Sequence, residues 1–262
     1  MMKEQYKVMD GAESFFIKGN EVGILISHGF MGTPQSMEYI GHRLAEQGYT
    51  VYATRLKGHG THHYDLEKCT YKDWVASIEE GYKKLKAQCS KVFMLGQSMG
   101  GTLTANLALT HKDIDGIMLI NPAINSIPEM EHLDQTVNDR FVEEGRPDIH
   151  NEEAVEITYT HAPMKSIREL LSFIKVVSFK LSGIEAPLLC LTSPEDHVVP
   201  ASNSTYLLNH VSSQDKKQVM LPNSYHVASM DFDQDTIVKQ CTSFIESNLQ
   251  KFNNVIPLRA AK

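Results

Sequence analysis

The run Lys91-Val92-Phe93-Met94-Leu95 followed by Gly96-Gln97-Ser98-Met99-Gly100 constrains this chain more than any other segment. The first five residues are apolar, β-branched and aromatic enough to form a buried strand. Beyond the pentapeptide, Leu103, Ala105, Leu107 and Ala108 recur at helical spacing. Strand, Gly-x-Ser-x-Gly, helix is the context in which a serine is held on a sharp turn with its hydroxyl exposed. The two glycines let neighbouring backbone approach with no Cβ in the way. The helix starting at the serine aims unpaired N–H groups and its positive dipole end at the place where an attacked carbonyl develops charge. Without its flanks the pentapeptide is a weak signal, and its alternative reading is a glycine-rich turn with an inert serine.

The rest of the chain continues the same rhythm. Phe15-Phe16-Ile17 and Val22 to Ser27 flank Gly19-Asn20, which predicts a hairpin turn. Thr33-Pro34 suits an N-cap followed by proline at the first helical position; Met37, Ile40 and Leu44 mark the inner face, and Gly48 ends the helix. Tyr49 to Ala53 reads as a strand, and Thr70 to Ala87 as a helix with Trp74, Ile78, Tyr82 and Leu85 on one stripe and Thr70/Asp73 as its cap. Ile117 to Ile120 is a further strand. Strands alternating with helices predict an α/β fold with a mostly parallel sheet covered on both faces. The rhythm breaks at Asn121-Pro122, and to about Ser182 the chain is charged and lacks strand signals. Ile167, Leu170, Leu171, Ile174 and Val177 form a helical stripe there, so this segment reads as an amphipathic lid inserted between sheet strands. Strands resume at Leu188–Thr192 and Val219–Leu221, and Ile237, Phe244 and Ile245 suggest a closing helix.

Composition excludes several function classes. The chain has 262 residues, enough for one large domain, and a net charge of −7, which disfavours nucleic acid and anionic membrane surfaces. No run of eighteen apolar residues occurs, Met1-Met2-Lys3-Glu4-Gln5 carries no signal-peptide core, and the four cysteines form no C-x-x-C pair. The expectation is a cytoplasmic protein with no stable membrane insertion, no nucleic-acid partner and no metal site.

A serine hydroxyl needs a base, and the base an orienting acid. Open α/β sheets present functional groups at the carboxyl ends of strands. Past Leu188–Thr192 lies Ser193-Pro194-Glu195-Asp196-His197, with Asp196 at the tip and Glu195 its rival; past the last strand lies Pro222-Asn223-Ser224-Tyr225-His226. Of twelve histidines, His226 is the candidate base, its alternative being a satisfied surface histidine; His210 falls within a helix and His197 directly follows the acid, so neither has a separate strand-end loop. The catalytic candidates are therefore Ser98, Asp196 and His226. The oxyanion donors are the backbone N–H groups of Met99 and Phe30, the latter on the loop after Ser27. His28 is read as orienting that loop, with packing as its alternative. Leu56-Lys57-Gly58-His59-Gly60-Thr61-His62-His63 is read as a structural loop beside the active-site face.

His28-Gly29-Phe30-Met31-Gly32, Arg55-Leu56-Lys57-Gly58-His59-Gly60, Asp73-Trp74, Ser98-Met99-Gly100-Gly101, Glu195-Asp196-His197-Val198-Val199 and Asn223-Ser224-Tyr225-His226 occur in that order. Together they resemble the bacterial carboxylesterase and monoacylglycerol lipase family of the α/β-hydrolase superfamily, over nearly the whole chain. The resemblance implies an α/β-hydrolase core over 1–121 and 183–262 with a small cap over 122–182. It implies no cofactor, and hydrolysis of monoacylglycerols or other short- to medium-chain esters. Its triad and oxyanion positions fall on Ser98, Asp196, His226, Phe30 and Met99. The cap matches loosely. Within it, Glu156, among Val155, Ile157 and Tyr159, is the candidate to accept hydrogen bonds from a glycerol head group, its alternative being a solvated glutamate. The 167–177 stripe offers an apolar wall for the acyl chain or simple packing. Competing readings on this fold are a thioesterase, a peptidase or amide hydrolase, and a non-catalytic ligand-binding relative.

Overall fold

The computed structural model describes residues 2–254, so Met1 and the end of the core segment expected to run to 262 lie outside the described residues. Among these, nine strands and eight helices appear: β1 (Phe15–Ile17), β2 (Val22–Ser27), α1 (Glu38–Glu46), β3 (Thr50–Thr54), α2 (His63–Lys68), α3 (Tyr71–Lys86), β4 (Lys91–Gln97), α4 (Met99–Thr110), β5 (Gly116–Ile120), α5 (Pro128–Thr136), β6 (Phe141–Glu143), β7 (His161–Pro163), α6 (Met164–Ser178), β8 (Leu188–Thr192), α7 (Ser202–His210), β9 (Lys216–Met220) and α8 (Gln234–Asn254). Seven strands form one sheet in the order β1-β3-β2-β4-β5-β8-β9. All its neighbours run parallel except β1 against β3.

Period-two alternation decides which face each strand residue covers. Leu25, Met94, Ile117 and Cys190 pack with Trp74 and Ile78 of α3, Leu103 of α4 and Leu207 of α7. Ile24, Ile26, Phe93, Leu95, Met118 and Leu191 pack with Ile40 and Leu44 of α1 and Ile237 and Ile245 of α8. Each such fully buried side chain contributes roughly 1.5–3 kcal/mol. Helix α4 is buried almost all round, as expected of a central helix in this layered architecture. Asp73 caps α3, accepting from both the N–H and the hydroxyl of Thr70.

Three local expectations are corrected. Gly19-Asn20 does not close a hairpin, because β3 lies between β1 and β2. The turn is tied to the α1–β3 connection instead: the Asn20 N–H donates to Gly48 O at 2.7 Å, and the Gly19 N–H to Thr50 Oγ1 at 2.9 Å. Thr33 precedes a 3-10 turn (Pro34–Met37) that leads into α1, but its hydroxyl makes no cap bond and is buried without a partner. The last strand runs over Lys216–Met220, not Val219–Leu221. Lysines and glutamine on that exposed edge discourage further strand pairing, and they also mask the apolar strand signal.

The segment between β5 and β8 holds α5, α6 and the two-stranded antiparallel sheet β6–β7, where no strand was expected. Strands of three residues are too short to display a period. Helix α6 buries Ile167, Leu170, Leu171, Ile174 and Val177, and stacks Phe173 on Tyr71 of α3 with ring centroids 5.2 Å apart. Among the described residues no helix is long and apolar enough to cross a membrane.

Candidate active site

After β2 the chain adds β3 on one side and then β4 on the other, so the strand order reverses around β2 and a crevice forms at the carboxyl ends of these strands. Ser98 sits at that point, between β4 and α4, with φ 55° and ψ −120°. A non-glycine residue in this region stores strain that the surroundings must enforce. They do so through the backbone: the Ser98 N–H donates to Ile120 O at 2.9 Å, and Ser98 O accepts from the N–H groups of Gly101 at 2.9 Å and Ala123 at 3.2 Å. A side chain on Gly100 would collide with the carbonyl oxygen of Ser27, which explains the glycine after the turn.

The three loops that the sequence singled out converge here. His226 Nε2 lies 2.9 Å from Ser98 Oγ, and His226 Nδ1 lies 2.8 Å from Asp196 Oδ2. Asp196 is 1% exposed at its side chain, whereas the neighbouring Glu195 is exposed, so Asp196 is the carboxylate that reaches the histidine. Its other oxygen accepts the N–H groups of Val198 at 2.9 Å and Val199 at 2.7 Å, which fixes the carboxylate plane. Burial alone would pull the His226 pKa down. Asp196, and beyond it Asp148 and Glu156, outweigh burial and hold it above the ordinary value of 6.5.

On the other side of Ser98 lies the loop after β2. A Cβ on Gly29 would stand 3.4 Å from Ser98 Cβ, so this loop runs directly beside the serine and carries Phe30 next in line. Met99 opens α4, so its N–H has no acceptor within the helix. His28 is fully buried, and burial brings its pKa down to about 4. Its Nε2 accepts the Leu56 N–H at 3.2 Å, which assigns the proton to Nδ1, 2.9 Å from Gly29 O. The neutral ring thus laces the 28–32 loop to the 55–60 loop. His59, also neutral by burial, packs edge-on against Trp74 at 5.8 Å and Phe30 at 6.2 Å. Among the described residues no group of histidine, cysteine and acidic side chains forms a metal site.

A cavity of about 220 Å³ opens beside Phe30, walled by Ile127, Met130, Leu133, Val142, Ala162, Ile167 and Val198, with Glu129, Glu143 and Glu144 on its lining. Of the 167–177 stripe, Ile167 borders this cavity, while Leu170 and Val177 are buried in the core. Glu156 turns its carboxylate inward: Oε1 occupies the space where a Cβ on Gly32 would stand, 2.6 Å away. Burial raises its pKa to about 7, opposed by the charge of His226 and a hydrogen bond from Ser36, with the charge of Glu144 adding to the rise.

Sequence reasoning passed over Asn121, noted only as a break in rhythm. With φ 44°, it directs its Nδ2 to His226 O at 2.9 Å and Ser193 Oγ at 3.0 Å, while its Oδ1 accepts the Ser193 N–H at 2.8 Å. It therefore joins the acid loop to the histidine loop from the end of β5. An asparagine directly after a buried strand was the available signal.

The comparisons with known proteins now decide the family. Residues 20–233 match the family model described as Hydrolase_4, serine aminopeptidase, S33. This chain belongs to that family. It is 43% identical over 245 residues to the thermostable monoacylglycerol lipase of Bacillus sp. (strain H-257), covering 93% of this chain and 98% of that protein. It is 27% identical to the carboxylesterase of Bacillus subtilis (strain 168), covering 88% and 95% of the two chains. A solved structure described for two metagenome-derived lipolytic enzymes, LipS and LipT, superposes with a TM-score of 0.88 at 36% identity, covering 92% of this chain and all (100%) of that one. The family, the sheet order and the solved structure together make this chain an α/β-hydrolase of the serine-hydrolase class.

Proposed function

We propose that this chain is a serine esterase acting on neutral carboxylic esters, with monoacylglycerols as the preferred class. The observation that carries the reading is the unbroken hydrogen-bonded series Ser98–His226–Asp196, with the loop beside Ser98 placing Phe30 on a cavity whose walls are largely apolar. In this reading Ser98 Oγ attacks the ester carbonyl as its proton passes to His226 Nε2. The backbone N–H groups of Phe30 and Met99 receive the oxyanion. Collapse breaks the bond to the alcohol, which leaves with the proton from His226. Water activated by the same imidazole then releases the acid and regenerates Ser98. Asp196 holds the tautomer that presents a bare Nε2 to the serine. Residues 122–182 act as the cap over a core formed by the described residues on either side, and Ile167 contributes to the acyl wall. The four cysteines are buried and unpaired, in keeping with a place in the reducing cytoplasm.

Two features favour monoacylglycerol over a simple alkyl ester: the 43%-identical relative and the inward-facing Glu156. Glu156→Ala is expected to lower kcat/KM for monoacylglycerols by roughly ten- to a hundredfold, the worth of a hydrogen bond to a charged group, while sparing alkyl esters of the same acid. Because its pKa is raised to about 7, the accepting carboxylate form grows as pH rises through neutrality. The ratio of kcat/KM on the two substrates should therefore climb over that range in wild type and stay flat in the variant. An equal loss on both substrates would make Glu156 a support for the cap.

The carboxylates Glu129, Glu143 and Glu144 on the cavity also suit an ammonium group, and with the serine aminopeptidase description of the family model they favour an aminopeptidase as the second reading. They oppose a polyanionic thioester. A panel of monoacylglycerols, p-nitrophenyl esters and alanine p-nitroanilide decides, and turnover of the anilide alone would overturn the esterase reading. A pH profile tests His226 separately. The imidazole is active as base only when neutral, and its pKa is held above 6.5, so the acid limb of kcat/KM should lie above pH 6.5. A profile flat down to pH 4 would remove His226 from the mechanism.

A further inference from the structure

Asp148 lies in the inserted segment between β6 and β7, 78 residues from His226 in sequence. Its Oδ2 accepts the backbone N–H of His226 at 3.0 Å and that of His197 at 3.1 Å, and its Oδ1 faces His197 Nδ1 at 2.8 Å. Its own carbonyl accepts the Val227 N–H at 3.0 Å. One residue of the insertion thus grips the loop of the acid and the loop of the histidine together. The hold extends along the next residues: the buried Asp231 carboxylate accepts the N–H groups of His150 at 2.7 Å, Asn151 at 3.0 Å and Tyr225 at 3.0 Å. The His150 ring stacks on Tyr225 with centroids 4.6 Å apart.

We propose that Asp148 is a positioning residue for His226, through which the inserted segment holds the acid and histidine loops in register. The inference rests on the reading of Ser98, His226 and Asp196 as the catalytic series. An imidazole must keep both its nitrogens within hydrogen-bond reach of two partners on different loops, and small misplacement is costly in rate. Asp148 fixes the His226 backbone N–H while Asp196 holds its ring, and the Asp148 side chain is only 17% exposed, so its charge is weakly screened. The insertion therefore does more than cover substrate: this limb of it stays docked while the reaction runs.

The charged groups bearing on His226 are Asp196, Asp148 and Glu156, so a change confined to Asp148 leaves two in place. The test compares wild type, Asp148→Ala and Asp148→Asn on an alkyl p-nitrophenyl ester, with rates expressed per site titrated by a fluorophosphonate. Asp148→Ala is expected to lose roughly ten- to a hundredfold in kcat with little change in KM, the worth of a charged hydrogen bond. Asp148→Asn should recover part of that loss, because its amide oxygen still accepts the His226 N–H. In both variants the acid limb should move to lower pH, because a negative charge beside the imidazole is gone. Unchanged kcat per titrated site with an unmoved limb would overturn the inference. So would a loss accounted for wholly by fewer titratable sites. Should the alanine variant not accumulate, the limb of the isosteric asparagine variant decides. Ser98→Ala is the control: if it is inactive while the Asp148 variants match wild type, the positioning role alone falls. If it retains activity, the catalytic reading falls too.

Discussion

Ser98→Ala will accumulate as a folded protein and lose ester turnover by roughly 10⁵-fold or more, the scale of nucleophile knockouts in serine proteases. The expectation of an intact fold follows from where the side chain points. The strained backbone at this residue is held by bonds to its N–H and carbonyl, from Ile120, Gly101 and Ala123, and none of these involves the hydroxyl. Alanine tolerates the same φ and ψ as poorly as serine does, so the elbow keeps its shape at little added cost. What disappears is the oxygen 2.9 Å from His226 Nε2. Steady-state kinetics on a p-nitrophenyl ester with a parallel thermal melt measures both halves. Activity within tenfold of wild type would sink the assignment of Ser98.

Asp196→Asn should cost about 10⁴ in kcat, by the same precedent, whereas Glu195→Gln should change little. The asymmetry follows from geometry. Asp196 Oδ1 already accepts two backbone N–H groups, from Val198 and Val199, and an asparagine carbonyl retains those bonds by occupying that position. Its NH₂ group then faces His226 Nδ1 and asks that nitrogen to accept. The proton moves to Nε2, and the imidazole no longer has a lone pair for the serine. Glu195 is exposed and makes no part of this arrangement. Comparable losses in the two variants would mean that loop shape, not the orienting carboxylate, sets the rate.

The anchoring of the insertion bears on access to Ser98 in the proposed reaction. Besides the contacts of Asp148 and Asp231, Tyr159 donates its hydroxyl to Gly58 O at 2.7 Å and accepts the Thr61 N–H at 2.8 Å. The insertion is thus pinned at both 148–151 and 159. Part of the cavity wall comes from α5 and β6, through Met130, Leu133 and Val142. No residue of α5 or β6 is fully buried, so this limb of the insertion has little packing to lose.

The sequence by itself determined the elbow, the alternation of strands and helices, and the faces those elements bury. Burial is written locally: Met37, Ile40 and Leu44, or Trp74, Ile78, Tyr82 and Leu85, repeat at the period of the helix that carries them. The candidate serine, acid and histidine were legible for a related reason, since each lies on the loop or turn after a strand end, with β4 and β8 apolar and only Val219-Met220 marking β9. Tertiary structure alone decided which strands are neighbours and which polar loop residues meet. Gly19-Asn20 has the composition of a hairpin, but β3 takes the place beside β1 because sheet order is settled by packing both faces, which no turn encodes. Lys216-Lys217-Gln218 is strand only because it lies on the free edge of β8. Asn121, Asp148 and Asp231 find acceptors and donors as far as 105, 78 and 81 residues away, in loops brought together by that sheet order. A polar side chain in an irregular segment has no period to reveal its partner, and the hydrogen bonds that hold this site in register appear only once the chain has folded.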